Sequence, residues 1–99
     1  MRVLRTAMVD FQTEEDLKGY VAEYKSFTTA IEDLEQVVIY QTGPTSIQAI
    51  VICEDDEALQ KNIEKTAKWR EEQNFKGVVD TILLQGDVLF DYKRTWYEP

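Results

Sequence analysis

The sequence predicts an α+β fold of order βαββαβ, the split βαβ arrangement, with one antiparallel four-stranded sheet and two helices on one face. Three observations carry this expectation. A hairpin lies mid-chain, with strands Gln36–Gln41 and Ser46–Cys53 joined by Thr42-Gly43-Pro44-Thr45, where Gly and Pro mark the turn. On either side of it, an acidic cluster opens a run of apolar residues at helical spacing. Two further β-rich runs, Val3–Phe11 and Val78–Gln85, bracket the whole.

The elements follow in order. In Val3–Phe11, Leu4, Thr6 and Met8 share one strand phase, and Val3, Arg5, Ala7 and Val9 share the other. Thr13 reads as an N-cap. Glu14, Glu15 and Asp16 place negative charge in the first turn, where the helix dipole favours it. Leu17, Tyr20, Val21, Tyr24 and Phe27 then recur at helical spacing, so a helix is expected from Glu14 to about Phe27. After the hairpin, Glu54-Asp55-Asp56-Glu57 opens a second helix, with an inner stripe of Leu59, Ile63, Thr66, Ala67 and Arg70. It should end near Asn74, with Gly77 available to turn the chain. Gly86-Asp87 is expected to interrupt the last strand, and Val88–Lys93 to form a bulged extension with one wet side. The tail Arg94–Pro99 carries Trp96 and Tyr97.

Both hairpin strands are apolar in both phases. Val38, Tyr40, Ile50 and Ile52 point one way, whereas Val37, Ile39, Ile47, Ala49, Val51 and Cys53 point the other. An antiparallel sheet with one solvated face alternates apolar with polar instead. Two helices cover one face only, so the other needs cover of its own. A second copy, sheet against sheet about a two-fold axis, supplies it economically. The expected assembly is therefore a homodimer.

Composition excludes several classes. The chain of 99 residues fits one domain, residues 1–99, with a core at about 2–92 and an aromatic tail at 93–99. Its net charge of −8 is concentrated in the helical segments and argues against nucleic acid and anionic membranes as partners. No apolar run is long enough to span a bilayer, and a cytoplasmic location is the expectation. The one cysteine, Cys53, excludes an intrachain disulfide. There is no histidine, which removes Ser-His and Cys-His nucleophile pairs and the commonest transition-metal ligand. No metal site and no cofactor are expected.

The order of elements and the stretch Ala49-Ile50-Val51-Ile52-Cys53-Glu54-Asp55-Asp56-Glu57-Ala58-Leu59 resemble the dimeric α+β barrel superfamily, which is ferredoxin-like. Its best-known branch is the antibiotic-biosynthesis-monooxygenase-like domains. The resemblance covers about residues 2–92 and implies a dimeric barrel, but no single activity. Many relatives carry a histidine early in the second helix. The corresponding position here is Asn62, which disfavours haem-degrading relatives that use that histidine as an axial ligand.

Candidate site residues come from strand phase. Assigning the more uniformly apolar phase to the helices places Leu4, Met8, Val37, Ile39, Ile47, Val51, Val79 and Leu83 there. Arg5, Tyr40, Gln48 and Asp80 then face the barrel interior among apolar residues, the composition of a small-molecule site. A buried Arg–Asp pair or a network that only fixes dimer register accounts for the same residues. Asn62 and Trp69, on the flank of the second helix, are candidates for a pocket mouth, and helix-edge packing is the alternative for Trp69. Three functions remain open. The first is a homodimeric protein binding a fatty-acid-like or aromatic molecule, with Arg5 or Tyr40 on a polar head such as a carboxylate. The second is a cofactor-free monooxygenase-like enzyme acting on an aromatic or quinol substrate, with Asp80 or Tyr40 as base. The third is a structural or regulatory dimer without a ligand.

Overall fold

The structure, a computed structural model, describes residues 2–29, 31, 34–73 and 77–92. The elements are β1 (Val3–Phe11), α1 (Glu14–Thr28), β2 (Gln36–Gly43), β3 (Ser46–Cys53), α2 (Asp56–Gln73) and β4 (Val78–Asp87). They form one antiparallel sheet of order β2-β3-β1-β4. Both helices start as their sequences dictate. The Thr13 hydroxyl oxygen accepts the Asp16 N–H at 3.1 Å and caps α1. Asp55 Oδ1 accepts the Ala58 N–H at 2.9 Å and caps α2. Among the described residues, no helix is long and apolar enough to cross a membrane.

The core lies between helices and sheet. Val3, Ala7, Val9 and Phe11 of β1 and Ile47, Ala49, Val51 and Cys53 of β3 are buried there. Leu17, Tyr20 and Tyr24 come down from α1, and Leu59, Asn62, Thr66 and Trp69 from α2. Trp69 centres an aromatic cluster, stacked on Phe27 at 4.8 Å between ring centroids and edge-on to Tyr24 at 5.5 Å.

The opposite face of the sheet is apolar and open. Val38, Tyr40, Met8, Ile82 and Leu84 are all exposed on it, Leu84 to 59%. β4 is exposed along its whole length, because α1 packs on β1 and α2 on β3 and β1. A cleft is thereby left between α2 and β4.

The strand phase of β1 is the reverse of the expected one. Arg5 lies opposite Val51 in the β1–β3 ladder, so it shares the helix side with Val51. Leu4 and Met8, expected on the helix side, lie opposite Ile52 and Gln48 and belong to the open face. Phe11 explains the choice: its ring packs on Tyr20 at 5.3 Å, and a strand that buries Phe11 also turns Val9, Ala7, Arg5 and Val3 inward. The inner stripe of α2 is also shifted. Leu59, Asn62, Thr66 and Trp69 are buried, Ile63 and Arg70 only partly so, and Ala67 is exposed.

Gly86-Asp87 does not interrupt β4, since β1 offers a paired edge as far as Val3, opposite Asp87. The irregularity falls instead where β4 meets Asp10 and Phe11. Residues 88–92 form no strand. They are tied down by the Val88 N–H, which donates to the Arg2 carbonyl at 3.0 Å, and by Arg2, which pairs with both Asp91 and Glu35. Asn74 and the tail with Trp96 and Tyr97 lie outside the described residues.

Candidate functional site

The layer between helices and sheet contains a small cavity of about 20 Å3, lined by Arg5, Ala7, Val9, Tyr20, Tyr24, Ile47, Ala49, Val51, Asn62, Thr66 and Arg70. That is room for one water. It adjoins the cleft between α2 and β4, about 180 Å3, lined by Val9, Tyr20, Arg70, Val78 and Thr81. Val9, Tyr20 and Arg70 border both spaces, so the cavity and the cleft share a wall.

The polar groups around the cavity are poorly matched to one another. Asn62 is 1% exposed and Thr66 3%, yet neither Asn62 Nδ2 nor Thr66 Oγ1 has a hydrogen-bond partner among the described residues. A buried polar atom without a partner costs about 1–3 kcal/mol, and native proteins contain few of them. Arg70 donates from Nε to the Tyr20 hydroxyl at 3.3 Å. Among the described residues, no carboxylate lines either space.

The electrostatics follow from this arrangement. Burial lowers the pKa of the Arg5 guanidinium, and the like charge of Arg70 lowers it further. Burial raises the pKa of Tyr24, and the neighbouring Tyr20 adds to the rise, so its phenol stays protonated. Tyr24 is thus a poor proton acceptor at neutral pH, and the cavity wall is rich in donors. Among the described residues, no group of three or more His, Cys, Asp or Glu could hold a metal ion.

The residues singled out from sequence divide between the two sides of the sheet. Arg5 and Asn62 meet at the cavity. Tyr40 and Gln48 are cross-strand neighbours on the open face, where the Tyr40 hydroxyl donates to Gln48 Oε1. Asp80 lies opposite Asp10, also on the open face, and its Oδ1 accepts the Thr81 N–H at 2.9 Å. Arg5 therefore cannot join Tyr40, Gln48 and Asp80, because the sheet separates them. Trp69 is buried in the aromatic cluster rather than set at a pocket mouth. Sequence reasoning did not assign Thr66, Arg70, Tyr20 or Tyr24 to a site. The available signal was two polar residues, Asn62 and Thr66, spaced four apart between Leu59 and Trp69 on a helix that is otherwise apolar on that side.

The chain matches no protein-family model and no curated protein. Solved structures of low sequence identity share its fold. A dimeric ferredoxin-like protein from an uncultured marine organism is 20% identical, with a TM-score of 0.72 over 94% of this chain and 92% of that one. SnoaB from Streptomyces nogalater, a cofactor-independent oxygenase, is 9% identical in a mutant form, with a TM-score of 0.73 over 91% and 95%. The monooxygenase ActVA-Orf6 from Streptomyces coelicolor, in complex with nanaomycin D, is 11% identical, with a TM-score of 0.66 over 90% and 92%. The fold is thus the ferredoxin-like α+β fold shared by these proteins.

Proposed function

We propose that this chain is a homodimeric small-molecule-binding protein whose ligand occupies the helix–sheet cavity and the cleft behind it. One observation carries the reading: two side chains buried to within a few per cent, Asn62 and Thr66, present polar atoms with no partner among the described residues beside a cavity that adjoins a cleft. Val9, Val78 and Tyr20 give the cleft an apolar body, and the donors lie deeper. The cleft volume of about 180 Å3 suits an aromatic or short-chain molecule. The dimer is supported by the open apolar face and by the likeness to a dimeric ferredoxin-like protein. Native mass spectrometry of the purified protein tests both parts. A dimer carrying a small organic molecule, lost in Asn62→Leu, is the expected result. A bare monomer at micromolar concentration contradicts it.

A second reading is an oxygenase without cofactor, favoured by the likeness to SnoaB and ActVA-Orf6. With no carboxylate in the lining among the described residues, the substrate would itself have to be acidic enough to ionise, and the donors would hold its anion. Oxygen uptake with an anthrol tests this. Uptake lost in Asn62→Leu but kept in Asp80→Asn and Tyr40→Phe puts the chemistry in the cavity. The reverse pattern puts it on the open face.

A further inference from the structure

We infer that the helix–sheet cavity selects an organic monocarboxylate, with the carboxylate held by Arg5 and Arg70 and accepting hydrogen bonds from Asn62 and Thr66. This deepens the ligand-site reading above and rests on it. The chain carries 19 acidic residues against 11 basic ones, so an arginine has acidic partners in abundance. Arg2 takes two of them, Glu35 and Asp91. Arg5 and Arg70 nevertheless converge on one cavity with no carboxylate in its wall among the described residues. Neither forms an ion pair among the described residues. Two like charges facing a partly dry space repel each other, and their interaction is strengthened by the low local dielectric.

One anion answers these mismatches together. It cancels one of the two positive charges and lets both guanidinium groups share a counter-charge, takes the N–H of Asn62 Nδ2, and gives the Thr66 hydroxyl an acceptor. The size of the inner cavity, about 20 Å3, decides between anions. The space of one water takes a single carboxylate oxygen, with the rest of the flat head at the cleft, whereas a tetrahedral phosphate needs more room on every side. The apolar body of the acid then lies in the cleft against Val9 and Val78, with the Tyr20 ring alongside. The planar fork of a guanidinium matches a carboxylate in two parallel hydrogen bonds, which gives direction as well as charge.

The test compares isosteric pairs on the intact protein: 2-naphthoate against 2-naphthamide, and octanoate against octanamide. Affinities are read by titration calorimetry at low and moderate salt. The carboxylate of each pair is expected to bind about tenfold or more tighter than the amide. Within Arg5→Met the carboxylate and the amide of each pair should bind equally, and Arg5→Lys should keep part of the preference. Equal binding of acid and amide by the native protein overturns the inference and leaves the ligand site standing. A carboxylate preference that survives Arg5→Met and Arg70→Met also overturns it, since the charge is then read elsewhere. If no probe binds at millimolar concentration, the ligand-site reading falls and takes the inference with it.

Discussion

Replacing Asn62 with leucine should stabilise the ligand-free protein. Asn62 is 1% exposed, and its Nδ2 has no partner among the described residues. Removing an unsatisfied buried amide recovers about 1–3 kcal/mol. Leucine has nearly the same shape, so it introduces no new cavity beyond the existing one of about 20 Å3. One water in that cavity would partner Nδ2 and sets the low end of the range. The expected gain is therefore about 1–3 kcal/mol, or a rise in Tm of about 4–8 °C per kcal/mol in a domain of this size. Urea unfolding at one protomer concentration, with an unchanged slope, measures it. The same variant should lose ligand binding, the exchange of stability for function expected of a site kept polar for a purpose. A loss of 1 kcal/mol or more in Asn62→Leu would mean that the amide is satisfied in the native protein, and the argument for the cavity would fail with it.

Three further outcomes follow. Ile82→Glu together with Leu84→Glu, on the open face of the sheet, should weaken self-association by roughly a hundredfold or more, because each glutamate buries an unpaired charge; sedimentation velocity reads the shift, and native protein already monomeric at micromolar concentration refutes the assembly. Gly77 has φ of 86°, and a Cβ there would run into the Asp16 carboxylate. Gly77→Ala should cost about 1–2 kcal/mol for the left-handed conformation, plus a clash that Asp16→Ala relieves; a double-mutant cycle showing no coupling contradicts the contact. Tyr24 is neutral in the folded protein beyond its usual range, with burial the main cause. The unfolded tyrosine ionises near pH 10 while the folded one keeps its proton, so stability present below that pH falls as pH rises toward the folded pKa. Urea titrations from pH 9 to 11 should show that decline flattened in Tyr24→Phe, and an identical pH slope in both proteins contradicts it.

Much of the architecture is legible in the chain. Helix starts are written in Thr13 and in Asp55, whose side chains make the capping bonds. The hairpin is written in Gly43-Pro44, and the need for cover on both sheet faces in the doubly apolar strands. The side of the sheet that each β1 residue occupies is not legible by counting apolar residues. Leu4 and Met8 compete with Val3, Val9 and Phe11 on nearly equal terms, and a slip of one residue exchanges the faces. Register decides it. Arg5 faces Val51 across the ladder, so burying Val51 under the helices carries Arg5 there too. The cavity was illegible for the same reason. Asn62 and Thr66 break the apolar pattern of α2, and their burial becomes visible only once α2 is seated on β3 and β1.

The most direct measurement is a two-dimensional NMR titration of the side-chain amides and arginine Nε groups with saturating 2-naphthoate. Asn62, Arg5 and Arg70 line the cavity, whereas Gln48 pairs with Tyr40 on the open face. Large shifts at Asn62 Nδ2 and at both arginine Nε groups, with the Gln48 amide unmoved, are what the account predicts. Shifts at Gln48 with Asn62 and the arginines silent would contradict it, because the ligand would then lie on the other side of the sheet.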